Sequence, residues 1–577
     1  MSRSEDGLTG SGIVIPGAGV AGDDEASRLS RRSFLRGAVG AGAALGLGGV
    51  LAACGTSSGG GGNTGAGSST VPVAGVSALP GGTPKRGGTF TVGCLTQGSE
   101  ENLFPGTAIP NPDCIRDYAL YNLLFYPSAG LRLYPLVPGL ALSAEANPAA
   151  TVWTFKLRDG VTWHDGKPFT AADVVYNLVH LWGNAAKNYS SSFLVGLVDF
   201  KGVKAVDKLT VQIPLLVPAA QFPTIFAWFN FGVLQEGATQ KSSAQNPIGT
   251  GPFMYQSFTP GQRSVFVRNP NYWESGKPYV DQLVVDSSFT DNNSMLNAML
   301  SGQINLLCSP DLAQVRQQLT SKQVQILQSP SASNTYAFGM RVDTGPFADN
   351  RVRQAFKLLT NRQQLIDGAL SGFAHLGNDL QGPNTEYFAY DLKPEYDVEK
   401  AKSLFKQAGV LGTTYVLPTA NVLPGMIESS TIWQQQVKAA GVNIKLKVLP
   451  PGDYWTSAGG AYVRPFCLQI AQALPSLTGQ YRSLIQYGAP YWDTHWGAQA
   501  NGGKQATQLL LSAEAALDTS TANRLWGQAQ EEQFSQGGYV VWGWLPYIDF
   551  AAQNVRGLKA SSAFNFNNFR FQDGWLA

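Results

Sequence analysis

Few residues in this chain of 577 could carry out chemistry. The histidines are His164, His180, His375 and His495, and none stands in the H-E-x-x-H spacing that holds a catalytic zinc ion. No G-x-S-x-G pattern stands between a predicted strand and a predicted helix, where it would expose a nucleophilic serine. Glu100 and Glu101 are adjacent on a predicted loop, where two carboxylates seldom converge as acid and base. The sequence therefore predicts no enzyme, no cofactor and no metal site; a secreted hydrolase of peptides or glycans is the alternative.

Three glycines near the N-terminus have the spacing of a dinucleotide-binding loop. Gly17, Gly19 and Gly22 fit G-x-G-x-x-G, whose glycines let the backbone approach a pyrophosphate. That loop needs a strand before it and a helix after it, but Pro16 weakens the strand and residues 23–25 are all acidic. The spacing is therefore not evidence of nucleotide binding.

The same region has the features of an export signal. Arg31 and Arg32 form a twin-arginine pair, and an apolar segment from residue 37 to residue 53 follows them. The segment ends in Leu-Ala-Ala-Cys, which resembles a bacterial lipobox, where the cysteine is lipidated and the chain is cut before it. We expect residues 1–53 to be a signal peptide and Cys54 to be a lipidated N-terminus on the extracytoplasmic face of the cell membrane. An uncleaved anchor is the alternative.

The composition indicates a large protein that does not bind nucleic acid or a membrane surface by charge. The formal net charge is +2, and 14% of the residues are charged. Residues 54–85 are rich in glycine and serine, which predicts a flexible tether. Four further cysteines could pair in three ways outside the cytoplasm, and the sequence leaves the pairing open: Cys94, Cys114, Cys308 and Cys467.

Strand patterns and a helix start lie close together in the first half of the chain. Residues 152–157 alternate as a strand, Asp159-Gly160 predicts a hairpin turn, and residues 161–163 predict the returning strand. Thr170 and Asp173 then form a capping box that opens an amphipathic helix.

Strands and helices are also predicted in other parts of the chain. Strands are predicted at 88–94, 253–258, 264–268 and 443–448, and helices at 349–365, 398–408 and 432–440. The last helix directly precedes the last strand, a step typical of α/β domains.

Four segments resemble the solute-binding family 5 of bacterial ABC importers, which includes dipeptide-, oligopeptide- and nickel-binding proteins. They are WTFKLRDGVTWHDGKPFTAADV (153–174), the stretch from PIGTGPF to YVD (247–281), PFADNRVRQAFKLLTNRQQLI (346–366) and YDVEKAKSLFKQAG (396–409). The resemblance spans nearly the whole chain after Cys54. It implies an α/β, periplasmic-binding-protein-like clamshell with two lobes and three domains.

The resemblance also implies domain bounds and partners. Domain I is discontinuous, and the predicted bounds are 86–120, 250–340 and 545–577 for domain I, 121–249 for domain II and 341–544 for domain III. Two crossover connections form the hinge, and a small-molecule ligand is enclosed between domains I and III. The protein is then a monomer that delivers this ligand to the permease subunits of an ABC importer.

One departure from the family affects the expected ligand. Peptide binders of the family carry an acidic residue in domain III that pairs with the peptide's α-ammonium, but no Asp or Glu lies between Arg464 and Gln486. A buried ammonium without a counter-ion is costly. A free peptide therefore loses its expected anchor unless Glu100 reaches the cleft, and both a peptide and an oligosaccharide stay open.

The predicted ligand contacts combine neutral hydrogen-bonding groups, one acid and aromatic rings. Trp542 and Trp544 alternate along a predicted strand, which would place both rings on one face as a stacking surface. The full set is Gln97, Glu100, Tyr336, Gln469, Gln472, Tyr481, Trp542 and Trp544.

Overall fold

The computed structural model describes residues 75–106, 111–128, 132–183, 190–450, 453–454, 464–472, 474–482, 494–496 and 503–577. All of them lie in one compact unit, residues 67–577. Arg31, Arg32 and Cys54 lie outside the described residues, so export and lipidation stay predictions. In the described part, none of the helices combines the length and the apolar character that crossing a membrane requires.

The strands, numbered in chain order, are β1 (Thr89–Leu95), β2 (Phe125–Tyr126), β3 (Val137–Pro138), β4 (Ala141–Ala146), β5 (Val152–Leu157), β6 (Lys204–Asp207), β7 (Thr210–Pro214), β8 (Phe253–Thr259), β9 (Arg263–Arg268), β10 (Gln282–Phe289), β11 (Leu306–Cys308), β12 (Gln325–Met340), β13 (His375–Leu376), β14 (Thr414–Thr419), β15 (Asn443–Val448), β16 (Phe466–Gln472), β17 (Tyr539–Ala551), β18 (Val555–Arg556) and β19 (Trp575–Leu576).

The α-helices are α1 (Asn111–Leu120), α2 (Ala171–Tyr176), α3 (Ser191–Leu194), α4 (Gln240–Gln245), α5 (Asn292–Leu300), α6 (Leu312–Ser321), α7 (Asn350–Leu359), α8 (Arg362–Ala369), α9 (Val398–Gln407), α10 (Met426–Ala439), α11 (Leu477–Gln480), α12 (Gly503–Ala515) and α13 (Thr519–Gln536). A π-helical turn, Asn177–Trp182, continues α2, and short 3₁₀ turns include Gly98–Glu100, Phe222–Ala227 and Phe229–Phe231.

The largest sheet of the described residues joins segments that are far apart in sequence. Its strand order is β16-β12-β17-β11-β1-β10-β9-β8, with β13 also paired to β17. β1 is parallel to β10 and β11, and the other pairs along this path are antiparallel. A separate four-stranded sheet, β4-β5-β7-β6, lies within predicted domain II, and the parallel pair β14-β15 lies within predicted domain III. This mixture confirms the α/β class.

Two long strands lie at the predicted boundary between domains I and III. β12 ends at Met340, the last residue of domain I before the boundary, β17 crosses the second boundary at 544–545, and the two strands are paired along most of their length. The pairing is interrupted between Gln328 and Ala332, opposite Ile548 and Pro546. An interruption in the two strands that connect two domains is a suitable place for a hinge.

Several local patterns were predicted at the right positions. The Thr170 backbone N–H donates to the Asp173 carboxylate at 2.8 Å, which confirms the capping box.

The hairpin predicted after β5 is wrong, because β4 and β7 occupy both edges of β5 and Thr162 pairs instead with Pro168. The folded body also begins before residue 86, since Val76 bridges to Leu327 and Leu79 is buried in the core.

Candidate ligand-binding site between the predicted domains

The segment that lacks the family's acid lies against predicted domain II. Thr224 Oγ1 donates to Ser476 Oγ at 2.6 Å, and Thr478 Oγ1 donates to Gln221 Oε1 at 3.2 Å. Ser476 also accepts from the Gly479 backbone N–H and so caps α11. Leu474 packs into the same core cluster as domains I and II. Residues 474–478 therefore form part of the contact between the predicted domains.

Amide groups replace the missing acid within this segment. Gln480 Nε2 donates to Gln381 Oε1 at 3.2 Å, and the Leu474 backbone N–H donates to Gln480 Oε1 at 2.9 Å. The amide nitrogen of Gln381 is buried and has no partner. Two carboxylates lie beside this segment: Glu514 forms an ion pair with Arg482, and Glu386 accepts from Gln221 Nε2 at 3.4 Å. The described residues between Arg464 and Arg482 are themselves neutral.

The first helix carries a buried charge cluster that is internally balanced. Arg116 is fully buried and donates to Glu101 Oε2 and Asp113 Oδ1, both at 2.7 Å. It also donates to Ser264 Oγ at 2.9 Å and Ser287 Oγ at 3.0 Å, which fixes α1 against β9 and β10. These bonds use four of the five N–H donors of the guanidinium, and its charge is balanced by the two carboxylates.

Asp117, one residue after Arg116, is not part of that cluster. It is 3% exposed, and neither of its carboxyl oxygens has a hydrogen-bond partner. Burial raises the pKa of Asp117 well above its usual range, and the nearby charge of Asp113 adds to the increase. A buried carboxyl group without a partner is unfavourable in a folded protein. It is therefore the most unusual polar group on this side of the structure.

Aromatic rings pack beside this helix, and three of them carry buried donors without partners. Tyr118 lies 5.8 Å from Phe569, Trp228 lies 5.1 Å from Phe564, and Tyr547 lies 5.8 Å from Phe564, measured between ring centroids. We call these five residues the aromatic cluster. The Tyr118 hydroxyl, the Tyr547 hydroxyl and the Trp228 ring N–H have no partner. Burial raises the pKa of Tyr118, and both Asp117 and Tyr547 are close enough to contribute.

A left-handed turn carries Phe569 of the aromatic cluster and begins two residues after Phe564, another member. Residues 566–569 have φ values of 46°, 55°, 59° and 53°. Residues other than glycine rarely adopt this left-handed backbone conformation. Asp549 on β17 holds the turn, because it accepts hydrogen bonds from the Phe566 backbone N–H at 2.9 Å and from Asn565 Nδ2. Unfavourable backbone of this kind is often found at functional sites.

The middle of the chain matches the bacterial extracellular solute-binding proteins, family 5, over residues 135–464, which are 330 of its 577 residues. The chain belongs to this family. A glutathione-binding protein, GsiB of Pectobacterium atrosepticum, is 28% identical over 76% of this chain and 86% of its own length. The dipeptide-binding protein of Escherichia coli is 29% identical over 50% of this chain and 58% of its own length.

A solved structure shares the fold of this family 5 protein. The periplasmic binding protein DppA of Helicobacter pylori, in complex with the peptide STSA, superposes with a TM-score of 0.72 at 21% identity. The match covers 85% of this chain and 98% of that one. This likeness confirms the periplasmic-binding-protein-like, two-lobed fold.

The two predicted residues of the N-terminal segment lie at the surface of this family 5 protein. Gln97 and Glu100 are both exposed, and it is Glu101 that is buried and paired with Arg116. Glu100 therefore does not supply a buried counter-ion in this arrangement.

The structure separates the remaining predicted contacts. Tyr336 is buried and donates to the Pro424 carbonyl at 3.0 Å, and Tyr481 is buried and donates to Gln533. Gln469 is buried with a carbonyl oxygen that has no partner, whereas Gln472 is half-buried at the end of β16. Of these four, the glutamines still offer free or partly accessible amide groups.

The prediction that Trp542 and Trp544 share one face is wrong. β12 residues Tyr336 and Ala337 lie opposite Gly543 and Val541, so Trp542 has no opposite residue and forms a β-bulge. The bulge breaks the alternation: Trp542 packs against Tyr336, whereas Trp544 packs against Phe388 in a different core cluster. The two rings do not form one stacking surface.

Among the described residues, His164 is hydrogen-bonded to the backbone and the four cysteines are buried. His164 Nδ1 accepts from the Gly249 backbone N–H at 3.1 Å, and Nε2 lies 3.0 Å from the Gly251 carbonyl. Burial lowers the pKa of His164 to about 4. Cys94, Cys114, Cys308 and Cys467 are buried free thiols. Among the described residues, no group of three or more His, Cys, Asp or Glu side chains could hold a metal ion.

Proposed function

We propose that the protein is a lipid-anchored extracytoplasmic binding protein that captures a small peptide between its lobes and delivers it to an ABC importer. The contact of Ser476 and Thr478 with Thr224 and Gln221 is the observation that carries this proposal, because it joins a cleft-lining segment of domain III to domain II. The twin-arginine pair and Cys54 support export and anchoring. Two acyl chains on Cys54 give stable membrane attachment, where one chain gives marginal attachment.

A peptide is favoured over an oligosaccharide for two reasons. Family relatives at 28% and 29% identity are named for glutathione and for dipeptides. A sugar would bind by stacking on a surface formed by Trp542 and Trp544, but these rings lie in different core clusters and form no such surface. The hydrolase alternative is weakened because His164 is held between two backbone groups.

The mechanism that suits this architecture is closure of two rigid lobes. β12 and β17 connect domains I and III, and their pairing is interrupted near Gln328. A ligand that contacts both lobes binds the closed form more tightly and therefore shifts the population toward it. The closed form then presents one surface to the permease, and no chemical step is required.

Calorimetry combined with small-angle scattering tests this function. The mature chain, beginning at residue 54, is titrated with free di- to tetrapeptides, glutathione, the same peptides with an acetylated N-terminus, and oligosaccharides. We expect micromolar binding of at least one peptide and a smaller radius of gyration in its presence. Binding of oligosaccharides alone, or binding without compaction, would contradict the proposal.

A further inference from the structure

A free peptide that enters the cleft brings an ammonium group, which needs a counter-charge once water is removed. The polar side chains of the described residues in the 464–486 segment are amides and hydroxyls, apart from those of Arg464 and Arg482. Glu514 is already paired with Arg482. The described residues of this segment therefore contain no carboxylate, and the half-buried Glu386 of domain III accepts a hydrogen bond from Gln221 Nε2 at 3.4 Å in the contact with domain II.

The first lobe has a free carboxylate on α1. Glu101 and Asp113 share the guanidinium of Arg116, so their charges are compensated within the protein. Asp117 is equally buried but has no hydrogen-bond partner on either oxygen. It is thus a buried acid whose two oxygens accept no hydrogen bond from the described residues.

The surroundings of Asp117 suit a cation that carries an apolar portion. The aromatic cluster begins with Tyr118, the next residue on the same helix, and continues through Phe569 and Phe564 to Trp228 and Tyr547. Aromatic faces attract ammonium groups, and the unpaired hydroxyl groups of Tyr118 and Tyr547 could bind peptide carbonyl oxygens. A carboxylate, aromatic faces and free donors together match a free peptide better than a neutral sugar.

We propose that Asp117 pairs with the ammonium group of the ligand, so that the counter-ion of the family's domain III has been moved to helix α1 of domain I. This inference rests on the proposed function, because it assigns the ligand class of the same cleft. It also explains why the segment 464–486 can be neutral without loss of peptide binding.

The test compares Asp117→Asn with Asp159→Asn, a control in an exposed turn of domain II, in the mature chain. Ser-Thr-Ser-Ala, tri-alanine and glutathione are titrated by calorimetry, each in its free and its N-acetylated form. We expect at least a tenfold loss of affinity for the free peptides in Asp117→Asn, no change in the control, and no added loss for the acetylated forms. Equal affinity of Asp117→Asn and the wild type for free peptides would overturn the inference.

Thermal unfolding without ligand separates this inference from the proposed function. If Asp117 serves the ligand, Asp117→Asn keeps or raises the melting temperature, because an unpaired buried carboxyl group is replaced by a neutral amide of the same shape. A melting temperature lowered by several degrees would assign Asp117 a structural role and overturn the inference. If the wild type binds none of the peptides, the proposed function fails and the inference fails with it; if the wild type binds them and Asp117→Asn binds them equally well, only the inference fails.

Discussion

Thr224 and Ser476 are joined by a hydrogen bond of 2.6 Å although 252 residues separate them. The bond connects predicted domains II and III, so we expect it to form only when the two lobes are together. A buried hydrogen bond of this type contributes about 1 kcal/mol. Removal of this bond should therefore shift the equilibrium between the closed and open forms toward the open form.

We expect Thr224→Val to weaken peptide binding by up to about fivefold, since loss of about 1 kcal/mol disfavours the closed form. Calorimetry measures the affinity, and small-angle scattering measures the shift toward a larger radius of gyration. Thr431→Val on the exposed face of α10 is the matched control. Unchanged affinity and unchanged size in Thr224→Val would show that this contact does not report closure.

The pH dependence of stability should contain a contribution from His164. Its pKa is lowered to about 4 by burial, so the folded state requires the neutral ring. As the pH falls from about 6.5 toward 4, the unfolded chain takes up a proton that the folded chain does not, and stability falls. We expect the free energy of unfolding to fall by about 2 kcal/mol. The full pKa shift of His164 implies a larger fall, which is reduced because part of the ring reaches solvent.

Denaturant unfolding at pH 7 and at pH 4.5 measures this contribution. In His164→Gln the decrease between the two pH values should be smaller by that amount. His180→Gln, which changes an exposed histidine, serves as the control and should leave the decrease as in the wild type. An equal decrease in all three proteins would contradict the prediction.

Removal of the buried guanidinium on α1 should be strongly destabilising. In Arg116→Met, Glu101 and Asp113 lose their shared partner while they stay buried, which costs about 3–5 kcal/mol. Arg351→Met removes an exposed ion pair with Asp349 and should cost less than about 1 kcal/mol. Chemical denaturation checks both values. Similar small losses for the two variants would mean that the Arg116 cluster does not hold α1 in place.

The left-handed turn at 566–569 offers a test of backbone strain. Asn567 has a φ of 55°, which glycine adopts freely and alanine does not. We expect Asn567→Ala to be less stable than Asn567→Gly by about 1 kcal/mol. The comparison of the two variants by thermal unfolding cancels the loss of the asparagine side chain. Greater stability of the alanine variant would contradict the left-handed conformation.

Local patterns predicted much of the fold. Alternation identified β1, β5 and β15, because one face of each strand meets the core and the pattern is contained in the segment itself. The helix predicted at 349–365 is divided into α7 and α8, and Asn361 caps the second one by accepting from the Gln364 backbone N–H. An asparagine at that position was a usable signal for a helix start.

The site was less accessible from the sequence, because its main features depend on tertiary pairing. The bulge at Trp542 arises from the register between β12 and β17, which no local pattern encodes. The spacing of Asp113 and Arg116 indicates an ion pair on α1, but only the packing shows that Asp117 has no partner. The sequence indicates Glu100 as the acid nearest the cleft. The structure exposes Glu100 and buries the next residue, Glu101, in an ion pair with Arg116.

Mass spectrometry of the protein purified under native conditions from its own host identifies the ligand that the protein binds there. We expect one intact small peptide with a free amino group per chain, and we expect this peptide to be released on denaturation. Recovery of an oligosaccharide, or of a chemically cleaved product in place of an intact peptide, would contradict the proposed function.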